Sequence, residues 1–314
     1  MLSAPGATGY QWYKDATTPL IDGGNISGAN SATLQIDPVS AADAEMIRRA
    51  VLWRDDHIIA LNKPPGLPSQ GGSGQGHRHV DGLTEAQGQE IVGGLAERGI
   101  EISGLGYYPN PLHADAAHRD EVIGHLKKVI TAAGVMGVKI VNTFIGGDRT
   151  LNVDENWTRA QGIFAPIVKH AQDAGVRLCF ENCPMIFSYD EWAGGHNIAY
   201  SPYIWRRILG EWGGTVGLNY DPSHLVWLMI DQGRFIREFA DHILHFQAKD
   251  VMIDQDGLYE RGTLSGGIGW QVPRIPGLGD APWAEIFSEL YRVGYDGPII
   301  IEHEDKVFEG TDEK

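Results

Sequence analysis

From residue 83 onward, apolar positions recur in two alternating patterns. Spacings of three and four predict helices over residues 83–99, 118–137, 159–175, 202–214, 233–242 and 283–297. After each comes a short run rich in β-branched and aromatic residues, predicting strands over 100–108, 138–146, 176–183, 215–224, 243–251 and 298–305. The first three helices close on Gly99, Gly137 and Gly175, the usual stop signal. A helix before every strand, six times over, predicts a parallel sheet covered by helices.

The part before residue 83 has a different character. Residues 8–43 alternate short β-like runs with Gly, Asn and Asp turns, as sandwich strands do. Through QWYKD, GGNISGANSATLQI and DPVSAAD, residues 1–45 resemble an immunoglobulin-like fragment, without the cysteine pair or the tyrosine-corner strand. Residues 46–82 resemble the start of a pseudouridine synthase through DDHIIALNKPPGLPSQGGSG, yet the catalytic aspartate segment does not follow. The expectation there is a β-hairpin and a Gly-rich linker around GGSGQG at 71–76, with no RNA-modifying activity.

Six strands fall two short of an eight-stranded barrel, and residues 83–314 are slightly fewer than the roughly 250 usual for that fold. The expected class is therefore α/β, a (β/α)8 TIM barrel over 83–314 whose first strands are missing or replaced, with an irregular β-rich N-terminal extension. Either the stretch AVLWRDDHIIALNK supplies substitute strands, or the barrel is open and exposes apolar edges that favour association.

Composition narrows the partners. With 25 basic and 41 acidic side chains the formal net charge is −16, which repels a phosphate backbone and excludes nucleic acid as the expected partner. No apolar run reaches the roughly 20 residues of a membrane span, so no membrane is expected. The segment MLSAPGATGYQWYKDATT lacks the basic start and apolar core of a signal peptide, so a cytoplasmic location is expected. Cys179 and Cys183, four apart on a predicted strand, would lie roughly 13 Å apart, too far to bridge.

In such a barrel the active site lies at the C-terminal ends of the strands. Glu181 ends one strand with Cys179 and Cys183 on its face; Asp221 and His224 end the next; His245, Gln247 and Lys249 share a face of the third; Glu302 follows three isoleucines on the last. Carboxylates crowded together need a positive charge, because like charges raise one another's pKa. A divalent metal held by Glu181, Asp221, Gln247 or His245, and Glu302 supplies it. These oxygen-rich ligands suit Mn2+ first, with Mg2+ or Co2+ as alternatives, over structural zinc.

The same motifs carry a resemblance. GLGYYPNPLH, VKIVNTFIGG, FENCPM, NYDPSHL, HFQAKDV, RIPGLGDAPW and GYDGPIIIEHED make residues 83–314 similar to the sugar phosphate isomerase/epimerase family of xylose-isomerase-like barrels. The resemblance implies Glu, Asp, His and Glu metal ligands, falling here on Glu181, Asp221, position 247 and Glu302, with glutamine replacing histidine at 247. Gln247 is the preferred ligand and His245 a supporting residue. The implied chemistry is proton abstraction beside the carbonyl of a sugar or keto-sugar, through an enediolate, with Glu181 and Glu302 as acid and base. His113, Asn142, His224, His245, Lys249, Trp270 and Arg274 are the substrate-binding candidates, and Tyr108 joins Trp270 as a stacking surface. No phosphate cradle of the P-loop kind is present.

The implied activity is isomerase or epimerase. A dehydratase or C-glycoside-cleaving lyase would use the same abstraction, and a non-catalytic composite chain with an incomplete barrel is the third alternative. An apurinic endonuclease would need more strand-end histidines and a basic face. The family implies a small-molecule partner, and pairing through the helices makes a homodimer one expected assembly.

Overall fold

In a computed structural model, the structure describes residues 83–186, 195–263 and 269–308, together with the backbone of five short strands nearer the N-terminus. The chain separates into two compact units, residues 1–82 with 90–100, and residues 83–89 with 101–314.

In the first unit, β1 (Leu2–Ser3), β3 (Thr33–Ile36) and β2 (Ile26–Ser27) form an antiparallel sheet in that order, and β4 (Val51–Arg54) pairs antiparallel with β5 (Ile59–Leu61). The rest of the immunoglobulin-like reading and the linker at 71–76 lie outside the described residues. The β4–β5 pair makes its own two-stranded sheet, so among the described residues the segment 46–82 adds no strand to the barrel sheet.

The second unit is built on six parallel strands: β6 (Leu105–Tyr107), β7 (Ile140–Thr143), β8 (Arg177–Glu181), β9 (Val216–Tyr220), β10 (Ile243–Ala248) and β13 (Ile299–Ile301). They pair in sequence order, leaving β6 and β13 as edges. A further antiparallel pair, β11 (Asp250–Ile253) with β12 (Gln271–Arg274), was not expected. The sequence reads 243–251 as one strand, but a tight turn in which Lys249 N–H bonds to Gln247 O ends β10 and starts a second direction.

Helix α1 (Glu85–Ala96) falls at the division between the units, and α2 (Ala116–Met136), α3 (Val153–Asp173), α4 (Pro202–Trp212), α5 (Pro222–Trp227), α6 (Gln232–Phe239), α7 (Gln255–Arg261) and α8 (Trp283–Arg292) follow. Local chemistry sets their ends. Asn152 and Glu155 form a reciprocal capping box on α3, and Gly137, at φ +75°, closes α2 in a left-handed conformation that glycine adopts without penalty. Helix α3 buries Trp157, Ala160, Phe164, Ile167, Val168 and Ala171, the three-and-four spacing of a single face. Phe164 meets Phe180 of β8 edge-on at 5.4 Å, and Tyr220 and Phe246 pack at 5.1 Å on neighbouring strands.

Because side chains alternate along a strand, aiming Leu178, Phe180, Leu218, Tyr220 and Phe246 at the helices aims Cys179, Glu181, Asn219, His245 and Gln247 the other way. One sheet thereby makes an apolar outer face and a polar inner one. The cost of six strands shows at β13, where Ile299, Ile300 and Ile301 are 48%, 36% and 69% exposed. No described helix is long and apolar enough to cross a membrane.

Candidate active site

Four neighbouring strands deliver the central residues. Glu181 is the last residue of β8, Asp221 follows β9, Gln247 lies near the end of β10 and Glu302 follows β13. Carboxylate oxygens of Glu181, Asp221 and Glu302 all lie within 4.8 Å of one another. The structure thus brings the three predicted acids together at one end of the sheet.

Each acid is held differently. Asp221 is fully buried and uses Oδ1 to cap α5, accepting from Ser223 N at 2.8 Å and Ser223 Oγ at 2.7 Å. Its other oxygen is thereby turned away from the helix, 3.1 Å from Nε2 of His224. The two form a buried ion pair: burial would lower the imidazole, but Cys183 and Asp221 raise it well above its ordinary value. Asn182 fixes the backbone beneath by giving Nδ2 to Asp221 O at 2.8 Å and taking Asp221 N–H at 2.7 Å. Glu302 receives Gln247 Nε2 at 2.6 Å and Lys249 Nζ at 3.0 Å, and the same ammonium lies 2.6 Å from Glu304.

Electrostatics follows from the crowding. Burial first, then the charges of Glu302 and Asp221, raise the Glu181 carboxyl from 4.5 to about 8. Glu302 is raised too, by burial against the lowering pull of Lys249. Asp221 goes the other way: burial would raise it, but His224 and Lys249 hold it below its ordinary value. Burial lowers the Lys249 ammonium less than Asp221, Glu302 and Glu304 raise it, so it stays charged. The phenol of Tyr108 is pushed far up by burial, by Glu181 and by Glu302, and stays protonated beside them.

Beneath the acids runs one polar chain. Ser103 Oγ lies 3.1 Å from His245 Nε2, His245 Nδ1 lies 2.9 Å from Asn219 Oδ1, and Asn219 Nδ2 donates to Gln247 Oε1 at 2.6 Å. Because the Asn219 amide nitrogen is spent on Gln247, its oxygen must accept, which assigns the His245 proton to Nδ1. Burial holds His245 down at about 4, so it is neutral, as the chain requires. His245 therefore supports Gln247 from below, with both ring nitrogens engaged.

The remaining predicted residues divide. Lys249 and His224 sit at the acids. Asn142 is buried on β7 with an Oδ1 that has no hydrogen-bond partner. His113 lies in the turn before α2, where its Nδ1 accepts from Asp115 N and its ring lies edge-on to His118 at 4.6 Å. Trp270 is only 2% exposed and packs with Trp227 and Val251 in a small core cluster, which leaves no face for a sugar. Arg274 is paired with Asp305, Nε to Oδ2 at 3.3 Å. The sequence reading missed Asn219, Asn182 and Asn197. Asn197 gives Nδ2 to the carbonyls of both Glu181 and Cys183 while its Oδ1 accepts from Gly146 and Ala199. An isolated asparagine carries no pattern, and only its burial marks it.

Comparison with known proteins agrees with this architecture. The model of the family described as xylose isomerase-like TIM barrel matches residues 71–314. The uncharacterized protein YfiH of Bacillus subtilis is 27% identical over 265 residues, covering 73% of this chain and 80% of that protein. An inosose dehydratase of Lacticaseibacillus casei is 25% identical over 193 residues, covering 60% of this chain and 61% of the dehydratase. Among solved structures, a xylose isomerase domain protein from Planctomyces limnophilus superposes with TM-score 0.54 at 17% identity, covering 70% of this chain and 76% of that one. A D-psicose 3-epimerase gives TM-score 0.51 at 17% identity, covering 73% and 74%. With the match spanning the whole six-stranded sheet and its acidic end, this chain belongs to the xylose isomerase-like TIM-barrel family.

Proposed function

We propose that the protein is a divalent-metal-dependent isomerase or epimerase of a sugar or keto-sugar, working by proton abstraction next to a carbonyl. The observation that carries this reading is the meeting of three carboxylates from three strands within 4.8 Å. Such a cluster is costly by itself, and a divalent cation is the group its chemistry fits. The helix cap takes Asp221 Oδ1 and leaves the buried Oδ2, beside His224 Nε2, as the oxygen available to one. Glu181, Asp221 and Glu302 would hold the cation; Gln247, as it stands, accepts from Asn219 at Oε1 and donates Nε2 to Glu302. Bound there, the cation supplies Lewis acidity that makes the C–H beside a substrate carbonyl removable.

The chain's own residues do the rest. Glu181 and Glu302 enter from different strands as base and acid: one takes the proton from the carbon beside the carbonyl, and the other delivers a proton to the enediolate. Lys249, charged and 3.0 Å from Glu302, orients that carboxylate and offers a donor to a substrate oxygen. Asn142 Oδ1 is a buried acceptor suited to a sugar hydroxyl. Asn219, His245 and Ser103 keep the floor fixed. A dehydratase is the second reading, favoured by the similarity to inosose dehydratase, since loss of water from the same enediolate needs only a leaving hydroxyl.

The test is incubation with a panel of keto-sugars in deuterated water. The expected result is solvent deuterium at the carbon beside the carbonyl with the wild type and none with Glu181→Gln; accompanying loss of water selects the dehydratase. Absence of exchange across the panel with metal-loaded protein contradicts the reading.

A further inference from the structure

Glu181 belongs to two groups of metal-capable atoms. Besides the three acids, Glu181, Cys183 and His224 offer a carboxylate oxygen, a thiol sulfur and an imidazole nitrogen within 4.8 Å of one another. We propose that this chain holds its cation on the β8–β9 side of the site, through Glu181, Cys183 and His224, and that the cation is borderline-soft, Zn2+ or Co2+, rather than Mn2+. The inference rests on the metal-dependent reading above and changes the ligand set within it.

The reasoning starts from which atoms still lack partners. On the β10–β13 side, Glu302 already has Gln247 Nε2 and Lys249 Nζ, and Gln247 turns its nitrogen, which cannot ligate a cation, toward the acid. That side is neutralised by the protein itself. On the β8–β9 side, Asp221 Oδ2 and His224 Nε2 face each other as a buried ion pair at 3.1 Å, and neither atom is engaged by any other group. A cation taken up by His224 Nε2 would replace the imidazole's proton beside Asp221, so the charge balance is kept on the side where the thiol and the imidazole stand.

The backbone is arranged to present the sulfur. Met185 sits at φ +56°, a left-handed conformation that a methionine adopts only when held, and its N–H points at Cys183 Sγ at 3.4 Å. The turn is pinned by His196 N–H on the carbonyls of Pro184 and Met185, and the single Asn197 amide ties the carbonyls of Glu181 and Cys183 together. One carboxylate, one imidazole and one thiolate around an open position is the ligand pattern of a catalytic zinc site, and sulfur and nitrogen donors favour Zn2+ and Co2+ over Mn2+ and Mg2+.

The test is optical titration of the chelator-treated full chain with Co2+. The expected result is a saturable near-ultraviolet thiolate-to-cobalt charge-transfer band, abolished by Zn2+ and by Cys183→Ser but kept in Cys179→Ala. Cys183→Ser should also weaken Zn2+ by about tenfold or more, the loss that even outer-shell changes cause, with little effect on Mn2+. A sulfur scatterer in the X-ray absorption of zinc-loaded wild type gives the same answer without a substitution. If Co2+ raises the unfolding temperature but no thiolate band appears, the carboxylates hold the metal, and the inference fails while the proposed function stands. If no divalent ion binds, both fail.

Discussion

Gln247 donates its amide nitrogen to Glu302 Oε2 at 2.6 Å, at the position where the family resemblance implies a metal-binding imidazole. The amide thus engages the acid as a hydrogen-bond donor while its oxygen is taken by Asn219. Gln247→His would put a nitrogen ligand there and release Glu302 from that bond. With the cation on the three carboxylates, calorimetric titration should show Co2+ binding tighter in the variant than in wild type, because imidazole is the better donor for that ion; with the cation on Glu181, Cys183 and His224, the variant should bind as wild type does. Equal or weaker binding would mean that position 247 does not face the metal.

Lys249 is the other group that neutralises Glu302. Lys249→Met would leave a largely buried carboxylate without its counter-charge, a loss of about 3 kcal/mol by analogy with other broken buried pairs. The variant should unfold at lower temperature than wild type without metal and gain more from added divalent ion. A variant as stable as wild type would show that the pair contributes little.

The raised Glu181 carboxyl makes the metal-free protein sensitive to pH in a definite direction. Between 4.5 and about 8 the folded chain keeps a proton on Glu181 that the unfolded chain has released. Stability therefore falls as pH rises through that window, and is greatest below it as far as this group is concerned. Glu302, raised as well, adds to the slope. Unfolding temperatures measured across pH 4.5 to about 8 in chelator should decline in wild type and decline less in Glu181→Gln; parallel curves would sink the assignment.

Asp250 holds the segment beside the site. Its fully buried carboxylate accepts from the backbone N–H of Val251, Gly277, Gly279 and Ala281 and from Trp283 Nε1, all between 2.8 and 3.0 Å. Gly279 is required there, since a Cβ would run into Asp250 Oδ1. Asp250→Ala should cost about 3 kcal/mol or more, because several buried donors lose a charged acceptor together. Gly279→Ala should destabilise in the same direction, and thermal unfolding followed by circular dichroism checks both.

Much of this site was legible in the sequence because strand ends are. The two-residue period after a helix fixes which side chains face inward and aligns Glu181, Asp221, Gln247 or His245, and Glu302 on successive strands; the family resemblance selects Gln247. The partners within the site were not legible. That Gln247 would face Glu302 through its nitrogen depends on Asn219 beneath it, and Asn219 depends on His245 and Ser103, all long-range contacts with no sequence spacing. The sequence offers Trp270 as a stacking surface or, more in keeping with an aromatic, a packing side chain, and Arg274 as a sugar contact or a salt-bridge partner; packing against Trp227 and pairing with Asp305 give the second role in each case. The β11–β12 hairpin was hidden because Ala248 to Val251 continue a strand in composition, and only the turn at Lys249 breaks it.

The most direct test of the metal-dependent centre is thermal unfolding of chelator-treated protein with increasing divalent ion, since a ligand of the folded state alone must raise the midpoint. The account predicts a saturable rise with Co2+ or Zn2+ in wild type, much reduced in Asp221→Asn and in Glu181→Gln. A midpoint that no divalent ion moves, in protein that still unfolds cooperatively, would contradict it.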